Sequence, residues 1–96
     1  MKPRQGFVYI MSNKNRTTFY VGVTNNIERR VREHRSGSSK FTGRYNLTHL
    51  VYFEKITDIV KAIEREKQLK RWHREWKINL IKFMNPDLED LAKDWT

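Results

Sequence analysis

The side chains of this sequence that could do chemistry are two tyrosines, an arginine, a histidine and one glutamate. In chain order they are Tyr9, Tyr20, Arg30, His34 and Glu66. Phenols and imidazoles move or hold protons, a guanidinium stabilises charge that develops on a phosphate, and a carboxylate binds a divalent cation. Together, side chains of these types could form one site that acts on a phosphate group.

Each tyrosine lies in a segment rich in strand-forming residues, at 7–11 and 18–23. Side chains alternate between the two faces of a strand. When the two segments are paired as a hairpin, one face holds only apolar residues, which are Val8, Ile10, Phe19, Val21 and Val23. Both phenols then share the other face, where Gly22 leaves open space beside Tyr20.

The arginine and the histidine fall on one predicted helix. Asn25 is a good N-cap, and Glu28, three residues later, completes a pattern like a capping box. Arg30 and His34 lie one helical turn apart, so their side chains are neighbours. The other arginines of this helix point elsewhere; they are Arg29, Arg32 and Arg35.

The glutamate is predicted to lie on the apolar face of a second, longer helix. That face is formed by Ile59, Ala62, Ile63 and Leu69, and Glu66 follows Ala62 by four residues and Ile63 by three. A carboxylate that faces a core needs a partner, a metal or a proton. Periodicity alone leaves two interpretations open, a metal ligand or a salt bridge to an arginine at the edge of the core.

The remaining patterns complete an α+β fold. They are a third strand at 48–54, a helix capped by Thr57 or Asp58 that runs to about Trp72, a helix at about 73–84, and a last short helix with Pro86 at its first position. The sequence therefore predicts a small three-stranded antiparallel sheet flanked by helices. We expect residues 1–96 to form a single domain, in which 86–96 are a short acidic C-terminal helix or tail.

Composition favours a nucleic-acid partner. The net charge is +9, and residues 1–45 contain ten Lys or Arg against Glu28 and Glu33. A basic surface attracts phosphate polyanions, although charge alone also fits a ribosome-associated protein. The sequence has no cysteine, no apolar run of membrane-spanning length and no signal-peptide pattern. These features predict a cytoplasmic protein with no membrane contact.

Two basic segments are candidates for contact with nucleic acid. The first is the loop 36–46, which contains Lys40, Arg44 and Tyr45, and the second is the helical run with Lys67, Lys70 and Arg71. The helical run is either a solvated face or the lining of a DNA channel. Nearby aromatic and apolar residues recur at helical spacing, which favours core over a base-stacking platform; they are Trp72, Trp76, Leu80 and Phe83.

From about residue 6 to residue 85, the sequence resembles the GIY-YIG nuclease family. The matching elements are Phe7-Val8-Tyr9, Tyr20-Val21-Gly22, Arg30, His34, and Glu66 within Arg65-Glu66-Lys67-Gln68-Leu69. It looks closest to the small single-domain members, which resemble the nuclease domain of the excision-repair incision subunit. The sequence departs from the family where Phe7-Val8 replaces Gly-Ile, and Val23 stands where some relatives carry lysine. A late asparagine found in some relatives has only an offset counterpart, Asn79.

The resemblance implies a metal-dependent endonuclease that hydrolyses DNA, in preference to RNA, during repair or processing. Tyr9 would accept a proton from the attacking water or orient it, and Tyr20 would hold the water or a phosphate oxygen. Arg30 would stabilise the charged phosphorus, and His34 would act as acid or base or bind phosphate. Glu66 would bind one Mg²⁺ or Mn²⁺. The alternative is a nucleic-acid-binding module that keeps the fold without cleavage; a protein partner and the oligomeric state stay open.

Overall fold

The fold is α+β, as the sequence predicts. The computed structural model describes residues 4–37 and 45–95. Its strands are β1 (Gly6–Ser12), β2 (Phe19–Thr24) and β3 (His49–Ile56), and its helices are α1 (Ile27–Arg35), α2 (Ile59–Arg71) and α3 (Arg74–Met84). Over these described ranges, no helix is long and apolar enough to cross a bilayer.

The three strands form one antiparallel sheet in the order β2-β1-β3, so β1 is central. Tyr9 is paired with Gly22, and Ile10 is paired with Val21. Since paired residues point to the same face, this register confirms the predicted division of the hairpin into an apolar face and a tyrosine face.

The two faces of the sheet carry separate apolar clusters. On one face, α2 packs on all three strands and α3 packs on β3, and the buried residues are Val8, Ile10, Val21, Val51, Tyr52, Ala62, Leu69 and Ile81. On the other face, α1 and the C-terminal segment cover the sheet, and the buried residues are Tyr9, Met11, Ile27, Val31, Leu47, Leu50 and Ala92. The tyrosine face therefore has α1 above it, and α2 lies beneath the sheet.

The helix caps fix where α1 and α2 begin. Asn26, one residue after the predicted Asn25, is the N-cap of α1, because its Oδ1 accepts the backbone N–H of Arg29 at 3.0 Å. The hydroxyl of Thr24 in turn accepts the N–H of Asn26. Asp58 is the N-cap of α2, and it is one of the two residues predicted for this position, Thr57 and Asp58. Although the cap is shifted by one residue, Ile27 is buried and Arg30 and His34 lie on the helix, as predicted.

The short helix expected to begin at Pro86 does not form, and the described residues after it make turns. The side chain of Asn85 explains this, because its Oδ1 accepts the N–H of Glu89 at 3.1 Å and its Nδ2 donates to the carbonyl of Glu89 at 2.8 Å. Nδ2 also donates to the carbonyl of Val51 at 3.0 Å. This side chain competes for backbone groups that a helix would use, and Leu88 adopts a positive φ of 50°.

The acidic C-terminal segment is fastened to the tyrosine face of the sheet. Asp90 accepts the backbone N–H of Leu50 at 3.0 Å and pairs with the guanidinium of Arg35 at 2.8 Å. Arg35 also donates to the carbonyl of Ala92 at 2.8 Å. Arg35 therefore points to a different side of α1 from Arg30, and it joins α1 to this segment.

Candidate active site

Tyr9 lies at the centre of β1, with only 1% of its surface exposed. Its hydroxyl is 2.9 Å from Nε2 of His34, so α1 and the sheet meet through a hydrogen bond. A Cβ added to Gly22 would contact the Tyr9 hydroxyl and lie 2.5 Å from its Cζ. The phenol therefore passes directly over the glycine, in space that any other residue would fill.

Tyr20 and His34 complete an aromatic cluster on this face. The ring centroid of Tyr20 is 6.3 Å from that of Tyr9 and 5.7 Å from that of His34. Tyr20 is half-buried, whereas Tyr9 and His34 are buried. The cluster thus has a closed inner end at the Tyr9–His34 bond and a more open end at Tyr20.

Arg30 brings a positive charge to the closed end. Among the described residues, its Nε is the buried side-chain atom without a hydrogen-bond partner. Its Nη1 lies 3.6 Å from the carboxylate of Glu33. The Arg30 charge acts on both neighbours, because it lowers the pKa of Tyr9 and the pKa of His34. A buried donor without an acceptor is costly, and an anionic ligand such as a phosphate oxygen would satisfy it.

Glu66, on α2, lies close enough to the cluster for its charge to raise the pKa of Tyr9. Its side chain is 13% exposed, and its Oε1 is 3.1 Å from Nζ of Lys70, one turn further along the helix. The Lys70 ammonium is also 5.8 Å from the centroid of the Tyr20 ring. The partner of Glu66 is therefore a lysine and not an arginine at the edge of the core. Arg65, the neighbouring arginine, pairs instead with Glu54 at 2.9 Å.

Burial sets the protonation of the Tyr9–His34 pair. Burial raises the pKa of Tyr9 well above its usual value, the nearby Tyr20 adds to this rise, and Arg30 opposes it. Burial and, to a smaller extent, the Arg30 charge together lower the pKa of His34 to about 4, and Glu33 opposes them. At neutral pH the pair is a neutral phenol beside a neutral imidazole, whose Nε2 can accept the phenolic proton.

We expect the imidazole of His34 to titrate near pH 4 in the folded protein, instead of near 6.5. Between these two values the unfolded chain binds a proton that the folded chain refuses, so acidification through this window lowers the free energy of unfolding. One such proton contributes a slope of at most about 1.4 kcal/mol per pH unit. NMR titration of the His34 ring gives the midpoint directly.

A His34→Gln variant isolates the contribution of this histidine to the pH dependence. Its free energy of unfolding, measured by urea denaturation, should fall less between pH 6.5 and pH 4 than that of the wild type. Equal losses in both proteins would contradict the prediction.

A profile of the GIY-YIG catalytic domain matches residues 5–79 of the chain. This chain belongs to the GIY-YIG family. The UPF0213 protein of Syntrophus aciditrophicus is 36% identical over 85 residues, which are 86% of this chain and 95% of that protein. A UPF0213 protein of Clostridium perfringens is 34% identical over 89 residues, which are 92% of this chain and 95% of the relative. These matches confirm the family that the sequence motifs indicate.

The fold of this GIY-YIG chain also matches a solved structure. The solution NMR structure of a UPF0213 protein from Bacillus halodurans has a TM-score of 0.56 and is 25% identical. The alignment covers 96% of this chain and 98% of the other. The α+β architecture with a three-stranded sheet is therefore shared over nearly the whole length.

The residues present fit a divalent ion held by a single protein ligand. Within the described part of the chain, no group of three or more His, Cys, Asp or Glu side chains could enclose a metal. Mg²⁺ prefers oxygen ligands, keeps several waters, and is commonly bound by one or two carboxylates together with a substrate phosphate. Glu66 provides one such carboxylate near the aromatic cluster. Mn²⁺ shares this preference for oxygen ligands.

The residues predicted to bind nucleic acid fall into two groups. Lys40 and Arg44 lie outside the described residues, and Tyr45, at their border, is 45% exposed. The second group is exposed on α2 and consists of Lys67, Lys70 and Arg71. The second group is thus on the helix that carries Glu66.

The prediction that Trp72, Trp76, Leu80 and Phe83 are core is wrong for two of the four. Trp76 is 54% exposed and Phe83 is 87% exposed, whereas Trp72 and Leu80 are partly buried against the core. Together these side chains form an open apolar groove along α3. These residues do recur at helical spacing, but only Trp72 and Leu80 pack against the core.

The ion pair between Lys70 and Glu66 was not predicted. The signal was available, because a glutamate followed by a lysine four residues later commonly forms an ion pair on a helix. What the spacing could not show is that this ion pair lies against the Tyr20 ring.

Proposed function

We propose that this chain is a divalent-metal-dependent endonuclease that hydrolyses a phosphodiester bond of DNA by attack of water. The observation that carries the proposal is the convergence of the Tyr9–His34 hydrogen bond, the Tyr20 ring and the Arg30 guanidinium on one face, with Glu66 linked to Tyr20 through Lys70. The match to a nuclease family supports the reaction class. The net charge of +9 supports a polyanionic substrate.

In the proposed reaction, the phenol of Tyr9 relays a proton. As the oxygen of water attacks phosphorus, its proton passes to the Tyr9 oxygen, and the Tyr9 proton passes to Nε2 of His34, which lies 2.9 Å away. The relay avoids a free phenolate, which the raised pKa of Tyr9 makes unfavourable. The charged imidazole that it forms is short-lived, because the lowered pKa of His34 favours prompt release of the proton. A new bond forms between phosphorus and the water oxygen while the bond to the leaving oxygen breaks.

The remaining residues would manage charge and position. The planar guanidinium of Arg30 donates to the phosphate oxygens, on which charge accumulates. Tyr20 orients the water or a phosphate oxygen at the open end of the cluster. A divalent ion on Glu66 would brace the phosphate and stabilise the leaving oxygen.

Incubation of supercoiled plasmid with the purified protein tests the proposal. We expect nicking in Mg²⁺ and none in EDTA. In a Glu66→Gln variant, the Mg²⁺ concentration for half-maximal nicking should rise at least about tenfold, because an amide is a weaker ligand than a carboxylate. Nicking by Glu66→Gln with an unchanged requirement for Mg²⁺ would refute the assignment of the metal ligand.

A second candidate function is binding of nucleic acid without useful cleavage. The exposed basic side chains of α2 favour this function as much as they favour an endonuclease. Salt-dependent binding with no nicking of duplex, branched or single-stranded DNA would select this function. Parallel assays on RNA test the proposed preference for DNA. The setting that we propose is DNA repair or processing in the cytoplasm.

A further inference from the structure

Lys70 occupies a position where its charge conflicts with a bound metal. Its Nζ lies 3.1 Å from Oε1 of Glu66, the carboxylate that would bind the divalent ion. A divalent cation on the same carboxylate would lie within a few ångströms of the ammonium, and like charges at that distance repel strongly. The two cations therefore compete for Glu66.

This ion pair differs from an ordinary surface pair on a helix. Only 13% of the Glu66 side chain is exposed, so its charge needs a nearby countercharge more than a solvated glutamate does. The Lys70 side chain is 49% exposed and flexible, so the ammonium can leave with little rearrangement of the fold. Its contact with the Tyr20 ring, at 5.8 Å, keeps the ammonium beside the aromatic cluster.

We propose that Lys70 is a positioning residue that neutralises Glu66 until a divalent ion binds, and that the displaced ammonium then contacts a phosphate of the substrate. The inference rests on the proposed function, because it assumes that Glu66 binds the ion. It adds a coupling between the binding of the divalent ion and the binding of DNA. The metal releases a cation that the DNA can use, so each ligand strengthens the binding of the other.

Titration with Mn²⁺ alone tests the first half of this inference. The free Mn²⁺ signal in electron paramagnetic resonance gives the dissociation constant for wild type, Lys70→Met, Lys67→Met and Glu66→Gln. Lys70→Met should bind Mn²⁺ about two- to fivefold more tightly than wild type, since the competing charge is gone. Lys67→Met is the matched control, because it removes the same charge from the neighbouring part of α2, where Lys67 lines a different pocket with Glu64 and Trp72.

The variants separate failure of this inference from failure of the proposed function. Loss of Mn²⁺ binding in Glu66→Gln, with equal affinities in wild type and Lys70→Met, would overturn only the role of Lys70. Equal tightening in Lys70→Met and Lys67→Met would also overturn it, because a general loss of positive charge would explain the effect. Unchanged binding in Glu66→Gln would overturn both. No binding by any of the four proteins would overturn the role of Lys70 as a group displaced by the metal, and the nicking assay would then decide the proposed function.

The coupling to DNA tests the second half. Fluorescence anisotropy with a labelled duplex gives DNA affinity in EDTA and in Ca²⁺, another oxygen-seeking ion, and a gel confirms that the duplex stays intact. The affinity gained on adding Ca²⁺ should be larger for wild type than for Lys70→Met. The same gain in both proteins would show that the displaced ammonium does not reach a phosphate.

Discussion

Replacing Arg30 with alanine should lower the rate of plasmid nicking by about 10²–10³-fold, the usual effect of removing one donor that stabilises a charged transition state. Arg30 is placed for this role by its position on α1, where its charge lowers the pKa values of both Tyr9 and His34. Since the effect belongs to the transition state, kcat should fall while the affinity for DNA changes little.

The same substitution should leave the fold as stable as before or more stable. Within the described part of the chain, Nε of Arg30 is buried without a hydrogen-bond partner, so alanine removes a group whose burial is costly. Its pair with Glu33, at 3.6 Å and partly exposed, contributes little in return. Urea denaturation should therefore show no loss of stability in a protein that has lost its activity, as expected of a residue kept for function.

Two further variants identify what the nicking assay measures. Arg32→Ala removes an exposed arginine from the same helix and should keep nearly full activity. Arg30→Lys keeps the charge but loses the planar fork, so its rate should stay well below that of the wild type. A rate for Arg30→Ala within about tenfold of wild type, or an equal loss in Arg32→Ala, would contradict the assignment of Arg30.

The hairpin was the most predictable part of the site. Alternation in two short strands placed Tyr9 and Tyr20 on one face, and the pairing of Tyr9 with Gly22 confirms that placement. The prediction succeeded because one face of the hairpin is entirely apolar, and a slip of one residue in one strand would have divided its apolar residues between the two faces. The Tyr9–His34 bond joins residues 25 positions apart and required the packing of α1 on the sheet, which periodicity does not specify.

Helix periodicity was less informative about burial on α2 and α3. On α2 the buried residues are Ala62 and Leu69, seven positions apart, and Ile63 is 38% exposed although the pattern predicted it to be core. On α3 the same pattern placed Phe83 inside, yet it is 87% exposed. A hydrophobic stripe shows which face of a helix prefers burial, but the width of the covered strip depends on how the helix lies against the sheet.

The C-terminal segment was mispredicted for a local reason. Pro86 is compatible with the first position of a helix, but the side chain of Asn85 binds both backbone groups of Glu89. Asparagine competes with the backbone for hydrogen bonds in this way at turns. Competition of this kind depends on whether the carbonyl of Val51 is within reach, and only the assembled sheet places it there.

Replacing Gly22 with alanine should damage both stability and activity. The new methyl group would contact the Tyr9 hydroxyl and lie 2.9 Å from Cε1 of Tyr20, so at least one phenol must move. Overpacking of a buried site usually costs about 1–3 kcal/mol. A displaced Tyr9 also loses its bond to His34, and a shift of about 1 Å in a catalytic group can lower the rate by about 10²-fold.

Gly6→Ala is the matched control for this substitution. Gly6 is a buried glycine of β1. An added Cβ would lie 2.8 Å from Cβ of Ala62 and 2.6 Å from Cδ1 of Ile59, on the face away from the tyrosines. Gly6→Ala should therefore lose comparable stability and yet keep its nicking rate at a temperature where both variants are folded. Equal activities in the two variants would show that the space above Gly22 matters only for folding.

A double-mutant cycle tests whether the clash is with Tyr9 itself. Tyr9→Leu removes the ring that the new methyl group meets, so alanine at position 22 should cost less stability in that background than in the wild type. The difference should exceed about 0.5 kcal/mol, the range found for residues in contact. Additive losses of stability would show that the methyl group clashes with another residue. Strong coupling would show that the absence of a side chain at Gly22 allows Tyr9 to reach His34.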